Sequence, residues 1–366
     1  MILKENKYIK YFVALIILAS CETTSENILV NSSRSEELGL INFQEIFDYQ
    51  SYTLDDLKSF QRIIDSDVLS QEQLKDAKLL INNYEKILSK RKYTLELKPD
   101  QQYSKELIEL IYKFGLPIQI SWNEKNKNSI PENLLTNKIN GFCSSLNDDA
   151  VASIKKDIGL KSNSILVIYS KEYASFIDAL KTDDSNLIAI EFNSTSFQEF
   201  SAQVLGVNFS EKRFKKISDL NPNQNIKFNP RPRADLDQVL IFLKPQEYKS
   251  MIPALRYHGD SNFKYINFIS SMEDITDPKQ LLDYEDSWVP ISRNLTSKVK
   301  NNSAATLERF LVLGALNEWL LIQILDQAGV QSAKINGFTG SLVFRSNSCT
   351  KRIIPLQKII AELFSS

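Results

Sequence analysis

The chain reads as an α/β protein, and three stretches lead to that reading. Val239-Leu240-Ile241-Phe242-Leu243 and Ser164-Ile165-Leu166-Val167-Ile168-Tyr169 are short, unbroken apolar runs, as expected of strands covered on both faces of a parallel sheet. The first runs into Lys244-Pro245, and a proline there ends strand pairing and suits the first turn of a helix. Gln246 to Tyr257 then carries Tyr248, Met251, Ile252 and Leu255 at helical spacing before His258-Gly259, and Tyr265 to Ile269 is again strand-like. Strand, helix and strand in about 30 residues make a βαβ unit.

In chain order, the first feature is an export signal. Lys4, Lys7 and Lys10 precede the apolar run from Tyr11 to Leu18, which is followed by Ala19-Ser20-Cys21. The run is well short of the roughly 20 residues that span a bilayer, so residues 1–20 read as a signal peptide. Leu18-Ala19-Ser20-Cys21 resembles the bacterial lipobox, which implies a diacylglycerol on Cys21. Glu22, not aspartate, follows the cysteine, and by similarity to bacterial sorting this favours the outer membrane over the inner. Residues 21–39 read as a flexible polar tether, with a reach of at most roughly 60 Å.

Residues 40–90 read as a short helical segment. Thr53 is a candidate N-cap for a helix with Leu57, Phe60, Ile63 and Ile64 along one side. Ser70 and Gln73 form a capping-box pattern ahead of Leu74, Ala77, Leu80, Ile81, Tyr84, Ile87 and Leu88. From there to residue 366 the chain alternates. Strands are expected over Tyr93 to Leu97, Pro117 to Trp122, Ser164 to Tyr169 and Leu187 to Phe192. Helices are expected over Ser104 to Phe114, Asp148 to Ile158, Lys171 to Leu180 and Ser196 to Leu205. A long helix from about Ser303 to Ala328 is apolar on more than one face, so it should lie between layers, with Gly314 allowing close approach. Gly337 to Phe344 is a turn and a strand, answered by Lys351 to Ile354 in a hairpin.

Composition narrows the function. The 366 residues are 43% hydrophobic and carry a net charge of -1; without residues 1–20 the balance is 41 basic against 44 acidic. There is no basic tract of the kind nucleic acid demands, so nucleic acid is excluded as an expected partner. Cys143 and Cys349 are 206 positions apart, which leaves open whether they are paired or are separate buried thiols. His258 is the single histidine, which gives a histidine-based metal site or dyad little to recruit. No serine lies in GxSxG, SxxK or SDN, no GxGxxG or GxxxxGK[ST] is present, and no pair of acids can be placed across a cleft. No cofactor, metal or catalytic residue is therefore expected. Arg231-Pro232-Arg233-Ala234-Asp235 reads as an anion-binding corner or a local salt bridge; the salt bridge is preferred, with both arginines holding the strand entry. Trp288 and Phe338 read either as an exposed contact or as internal packing.

Five stretches together carry a resemblance: LGVNFSEKRFKKI (205–217), FNPRPRADLDQVLIFLKP (228–245), DSWVP (286–290), RFLVLGALNEWLL (309–321) and INGFTGSLVF (335–344). The chain resembles the LppC/LpoA family, outer-membrane lipoproteins that activate a class A penicillin-binding protein. Arg231, Arg233, Asp235 and Asp237 fall on the family's pRxRxDvD positions, and Gly337, Thr339 and Gly340 on its G.TG positions. Asn317 stands near the place of a helix aspartate, and Ser287-Trp288 replaces a proline-tryptophan order. The resemblance implies a two-lobed type I periplasmic-binding-protein-like fold over residues 91–366. It also implies a non-catalytic activator of peptidoglycan synthesis, facing the periplasm, with the synthase as partner and peptidoglycan as a further contact. Only about 50 residues stand where family members carry a helical-repeat domain. The competing expectation is an amino-acid or amide sensor with its site between the lobes.

Overall fold

The computed structural model describes residues 40–42, 70–90 and 92–360, apart from residues 100, 114, 125–129, 159–163, 181–185, 221, 223–225, 260–261 and 293–305. The signal peptide, Cys21 and the helix expected after Thr53 lie outside the described residues.

The element order is mixed α/β. A first strand, β1 (Leu40–Asn42), stands where the sequence suggests the start of a helical segment. Helix α1 (Gln71–Ser89) begins as its capping box requires: the Ser70 hydroxyl accepts from the Gln73 amide and the Gln73 side chain accepts from the Ser70 amide. Strand β2 (Tyr93–Leu97), helix α2 (Ser104–Lys113) and strand β3 (Ile118–Trp122) follow, and β2 and β3 pair in parallel as a two-stranded sheet. Helix α3 (Leu146–Ile158) leads to β4 (Ser164–Tyr169), then to a 3₁₀ turn and α4 (Ala174–Leu180), and to β5 (Leu187–Glu191). Helices α5 (Phe197–Val204) and α6 (Val207–Leu220) come in succession before β6 (Leu236–Phe242), α7 (Pro245–His258), β7 (Lys264–Asn267) and β8 (Trp288–Pro290). Helix α8 (Leu307–Gln327), strands β9 (Ser332–Asn336), β10 (Ser341–Arg345), β11 (Lys351–Ile353) and β12 (Leu356–Lys358) complete the described chain.

Six strands form the central sheet in the order β12-β8-β7-β6-β4-β5, parallel throughout except that β12 runs against β8. β4 and β6 lie side by side in its middle, and Leu166, Val167, Ile168 and Val239 to Phe242 are fully buried, which is why these runs show no polar alternation. The chain steps from β4 outward to β5 on one side, then returns past β4 to build β6, β7 and β8 on the other. The gap between β4 and β6 is therefore the sheet's topological switch point.

A second sheet of four strands, β1-β9-β10-β11, is fed from outside the central one. The chain leaves the central sheet after β8, builds α8 and the β9-β10-β11 meander, and comes back at β12. Helix α8 is long and apolar enough to cross a membrane by length and composition, yet most of it is inside the core. Its buried faces explain the apolar residues all round it. Gly314 is where Phe338 and Thr339 press onto this helix; a Cβ there would stand 3.0 Å from the Cβ of Phe338 and 3.1 Å from the Thr339 methyl. Helix α6 has no counterpart among the elements expected from sequence. Leu205-Gly206 looks like an end, and Gly206 at φ +77° turns the chain so that a second helix starts at once.

Cys143 and Cys349 are joined by a disulfide, which decides the question the sequence leaves open. It ties the segment before α3 to the turn between β10 and β11, alongside main-chain bonds from Cys143 to Thr350 and from Thr350 to Gly141. Since it closes a loop of 206 residues, chain entropy puts its contribution at up to roughly 5 kcal/mol. Cys349 is exposed, so dithiothreitol should reach the bond in the folded protein. The double substitution Cys143→Ser/Cys349→Ser is expected to lower the unfolding free energy, read from a urea titration, by up to roughly 5 kcal/mol, while leaving the far-ultraviolet circular dichroism of the native state unchanged.

Candidate functional site

Three places in the fold collect polar side chains. The first is the entry to β6. The loop from Asn229 to Asp235 runs between α6 and the end of α7, and is held by two main-chain donors: Arg233 N–H to the Leu205 carbonyl at 2.8 Å and Arg231 N–H to the Ser210 hydroxyl at 3.4 Å. The Arg233 stem lies over Gly206, and its guanidinium forks onto Asp235 at 3.0 and 2.5 Å. That bond holds the Asp235 carboxyl below the usual range. The preferred salt-bridge reading thus describes Arg233. Arg231, by contrast, is exposed and holds the loop by its backbone alone.

Behind this loop is a cavity of about 1050 Å³, lined by Arg231, Arg233, Asp237, Tyr257 and His258 among others. It brings three family-motif positions of the strand entry, Arg231, Arg233 and Asp237, near one another and near the single histidine. It sits at the amino ends of β6 and β7, whereas open α/β sheets take their ligands at the carboxyl ends.

The second place is that carboxyl end. In the switch-point crevice between β4 and β6, the Ser170 hydroxyl donates to Glu247 at 2.5 Å and Lys244 pairs with Glu172 at 2.8 Å. The Lys244–Glu172 pair there is about half exposed. Beyond it, the amides of Leu307 and Glu308 at the start of α8 donate to the Ile275 and Glu273 carbonyls. Arg309 on α8 reaches Glu106 of α2 at 3.0 Å. Glu273 is pushed up to about 7, first by burial and then by the charges of Glu308, Glu172 and Asp274.

The third place is internal, and it holds the G.TG positions. Gly337 N–H donates to the Gly340 carbonyl, closing a turn that presses on the Glu318 carboxyl of α8. No side chain fits at Gly337, because the added carbon would stand 2.7 Å from the Gly340 carbonyl oxygen and closer still to Glu318. Thr339 donates twice to Glu318, from its amide at 2.7 Å and its hydroxyl at 2.5 Å. Arg352 of β11 bridges two acids, Glu318 at 3.3 Å and Asp149 of α3 at 3.1 Å, and lies 4.3 Å over the Phe142 ring. Asp149 also accepts from Ser144. Burial raises the carboxyls of Glu318 and Asp149, opposed by Arg352 and by the Thr339 and Ser144 donors.

Sequence reasoning missed Glu318, Arg352 and Asp149. It looks to Asn317 for the helix acid, but Asn317 bonds back to the Leu313 carbonyl at 2.8 Å and the buried carboxylate is the next residue. The signal was a charge in the middle of a helix apolar on every side, since such a charge must find a partner. Trp288 is half-buried on β8, with the Lys264 ammonium 4.5 Å over its ring, and Phe338 packs against the core and Gly314. The strand-entry residues, Trp288 and the G.TG turn do not converge on one pocket.

No protein-family model matches the sequence, and no curated protein matches it. Among solved structures, the chain is similar to Rp1789 of Rhodopseudomonas palustris (strain CGA009) at 8% identity, over 76% of this chain and 85% of that one, with a TM-score of 0.31. It is also similar to an ABC transporter permease from the Pseudomonas fluorescens group at 10% identity, over 75% of this chain and 94% of that one, with a TM-score of 0.34. Likenesses this distant carry no argument about function.

Two outcomes follow from these geometries. Arg352→Met leaves Glu318 and Asp149 buried without their cation and is expected to cost about 3–5 kcal/mol of unfolding free energy, read from a denaturant titration. Glu273 has a folded pKa above its unfolded value of 4.5, so its contribution to stability is full below about 4.5 and is lost as pH rises through about 7. Glu273→Gln is therefore expected to match the parent near pH 5 and to exceed it in thermal stability at pH 8.5.

Proposed function

We propose that this chain is an outer-membrane lipoprotein, held by lipid on Cys21, whose body binds and activates a class A penicillin-binding protein without itself making or breaking bonds. We take that body to be of the two-lobed type I periplasmic-binding-protein-like kind. The observation that carries the reading is that the stretches resembling the LppC/LpoA family pack in two pairs, 309–321 against 335–344 and 205–217 against 228–245. Gly337 and Thr339 close on Glu318, Phe338 and Thr339 rest on Gly314, and Arg233 lies over Gly206.

Further support comes from the topology and the disulfide. The chain leaves the central sheet after β8 and returns at β12, as a body of two lobes with several crossings requires. The Cys143–Cys349 bond suits an oxidising compartment outside the cytoplasm. Activation then operates by differential affinity: the body binds the more active state of the synthase better than the less active one. Confinement of both partners to facing membranes raises their effective concentration, so a weak contact suffices.

The test is a cross-linking assay on lipid II with the cognate class A penicillin-binding protein, with and without the mature chain. Binding and a faster cross-linking rate are expected. A folded sample that neither binds nor changes the rate overturns the reading.

A further inference from the structure

Helix α6 stands apart from every other helix of the central layer. Only Val207 of its 14 residues is buried, and Phe214 is held to the body by stacking on Phe228 at 4.2 Å. Its outer side is exposed. Phe209, Ile217 and Leu220 are 65%, 43% and 80% exposed, an unusual concentration of large apolar side chains for one short helix. Phe209, Arg213, Lys216 and Leu220 are spaced at i, i+4, i+7 and i+11, so they form one stripe along the outer face, flanked by Ile217 and Lys212. Lys212, Arg213, Lys215 and Lys216 are all exposed, and none of the four forms an ion pair with a described residue. Of the helix's acids, Glu211 turns toward the cavity at the β6 entry on the opposite side, while Asp219 flanks the stripe within a turn of Lys215 and Lys216 and leaves the face net cationic.

We propose that α6 is a docking face for an anionic phospholipid surface. Large apolar side chains at both ends of a stripe, with lysine and arginine between and beside them, are the composition of a helix that lies in a bilayer interface. The phenylalanine and leucine enter the acyl boundary while the long cationic side chains reach the phosphates. A protein partner fits less well, because lysine is depleted at the cores of protein interfaces. The four exposed bases supply the charge complement that such lipid phosphates need, on a chain whose overall charge is only -1. Access follows from the lipid-anchored reading proposed above, on which this inference rests for its setting in the cell. Leu40 follows Cys21 by 19 positions, a tether that extends to at most roughly 60 Å, so the body can return to the membrane that holds it. The face would then set which side of the body is turned away from the membrane and toward a partner.

The experiment separates this from the lipid anchor by removing the anchor. The mature chain with Cys21→Ser is sedimented with vesicles of phosphatidylglycerol and phosphatidylethanolamine, and with vesicles of phosphatidylcholine alone, at low and high salt. Binding to the anionic vesicles, weakened by salt and absent from the neutral ones, is expected. Lys212→Glu/Arg213→Glu/Lys216→Glu should reduce it by roughly ten-fold or more, since each base near an anionic bilayer contributes a several-fold factor. Phe209→Ser/Leu220→Ser should weaken it at both salt concentrations. These side chains are exposed, so both variants should keep the parent's thermal midpoint. No binding at low salt, or binding that the charge-reversed helix retains, overturns the proposal. Loss of binding to the penicillin-binding protein in the same variants, with no vesicle binding by the parent, overturns it in favour of a protein-docking helix. An unacylated Cys21 in cells would overturn the anchor reading while leaving the vesicle result standing.

Discussion

Arg352 carries its charge into a region with 2% of its side chain exposed, and the elements that meet there are arranged as that charge requires. A cation removed from water must be paired, so Asp149 comes to it from α3 and Glu318 from α8. Glu318, fully buried in turn, needs more donors than one arginine provides, and the Thr339 amide and hydroxyl supply them. The turn that presents Thr339 can reach the carboxylate only because Gly337 has no side chain. The disulfide closes the same junction from outside by tying the segment before α3 to the strand that bears Arg352. One buried ionic group therefore joins the helix before the central sheet, the helix after it and the meander of the second sheet.

The two ends of the central sheet differ in a way that bears on function. At the carboxyl ends, where a doubly wound sheet ordinarily receives a ligand, Ser170 bonds to Glu247 and Lys244 pairs with a half-exposed Glu172. The open volume lies at the amino ends, behind a loop stiffened by Pro230 and Pro232 and by the Arg233–Asp235 fork. Being exposed on both sides, that fork adds little stability; it directs the loop more than it holds the fold together.

Much of this was legible in the residues. The apolar runs at β4 and β6 could be placed because strands buried on both faces lose their alternation, and the Ser70–Gln73 box could be read because capping is local chemistry. The all-round apolar character of α8 announced a buried helix, and Gly314 a close approach. Local patterns determine local structure wherever the groups that satisfy a backbone or a stripe are a few residues away.

What only the tertiary structure decided are the pairings made across sequence distance. β1 is a strand because β9, nearly 300 positions later, offers it an edge. Whether Cys143 met Cys349 depended on how the β10–β11 turn falls against α3. Asn317 and Glu318 are neighbours, and no pattern says which of them faces Arg352; the rotation of α8 against the Thr339 turn does. Helix α6 was hidden because its apolar side chains are largely on its outer face, so its sequence lacks the buried stripe by which a packed helix is recognised. The sequence by itself determined which segments form strands and helices and which must be covered. The partners across the core came from the packing of elements far apart in the chain, because an ion pair or a sheet edge is recognised by shape and charge in space, which spacing along the chain does not encode.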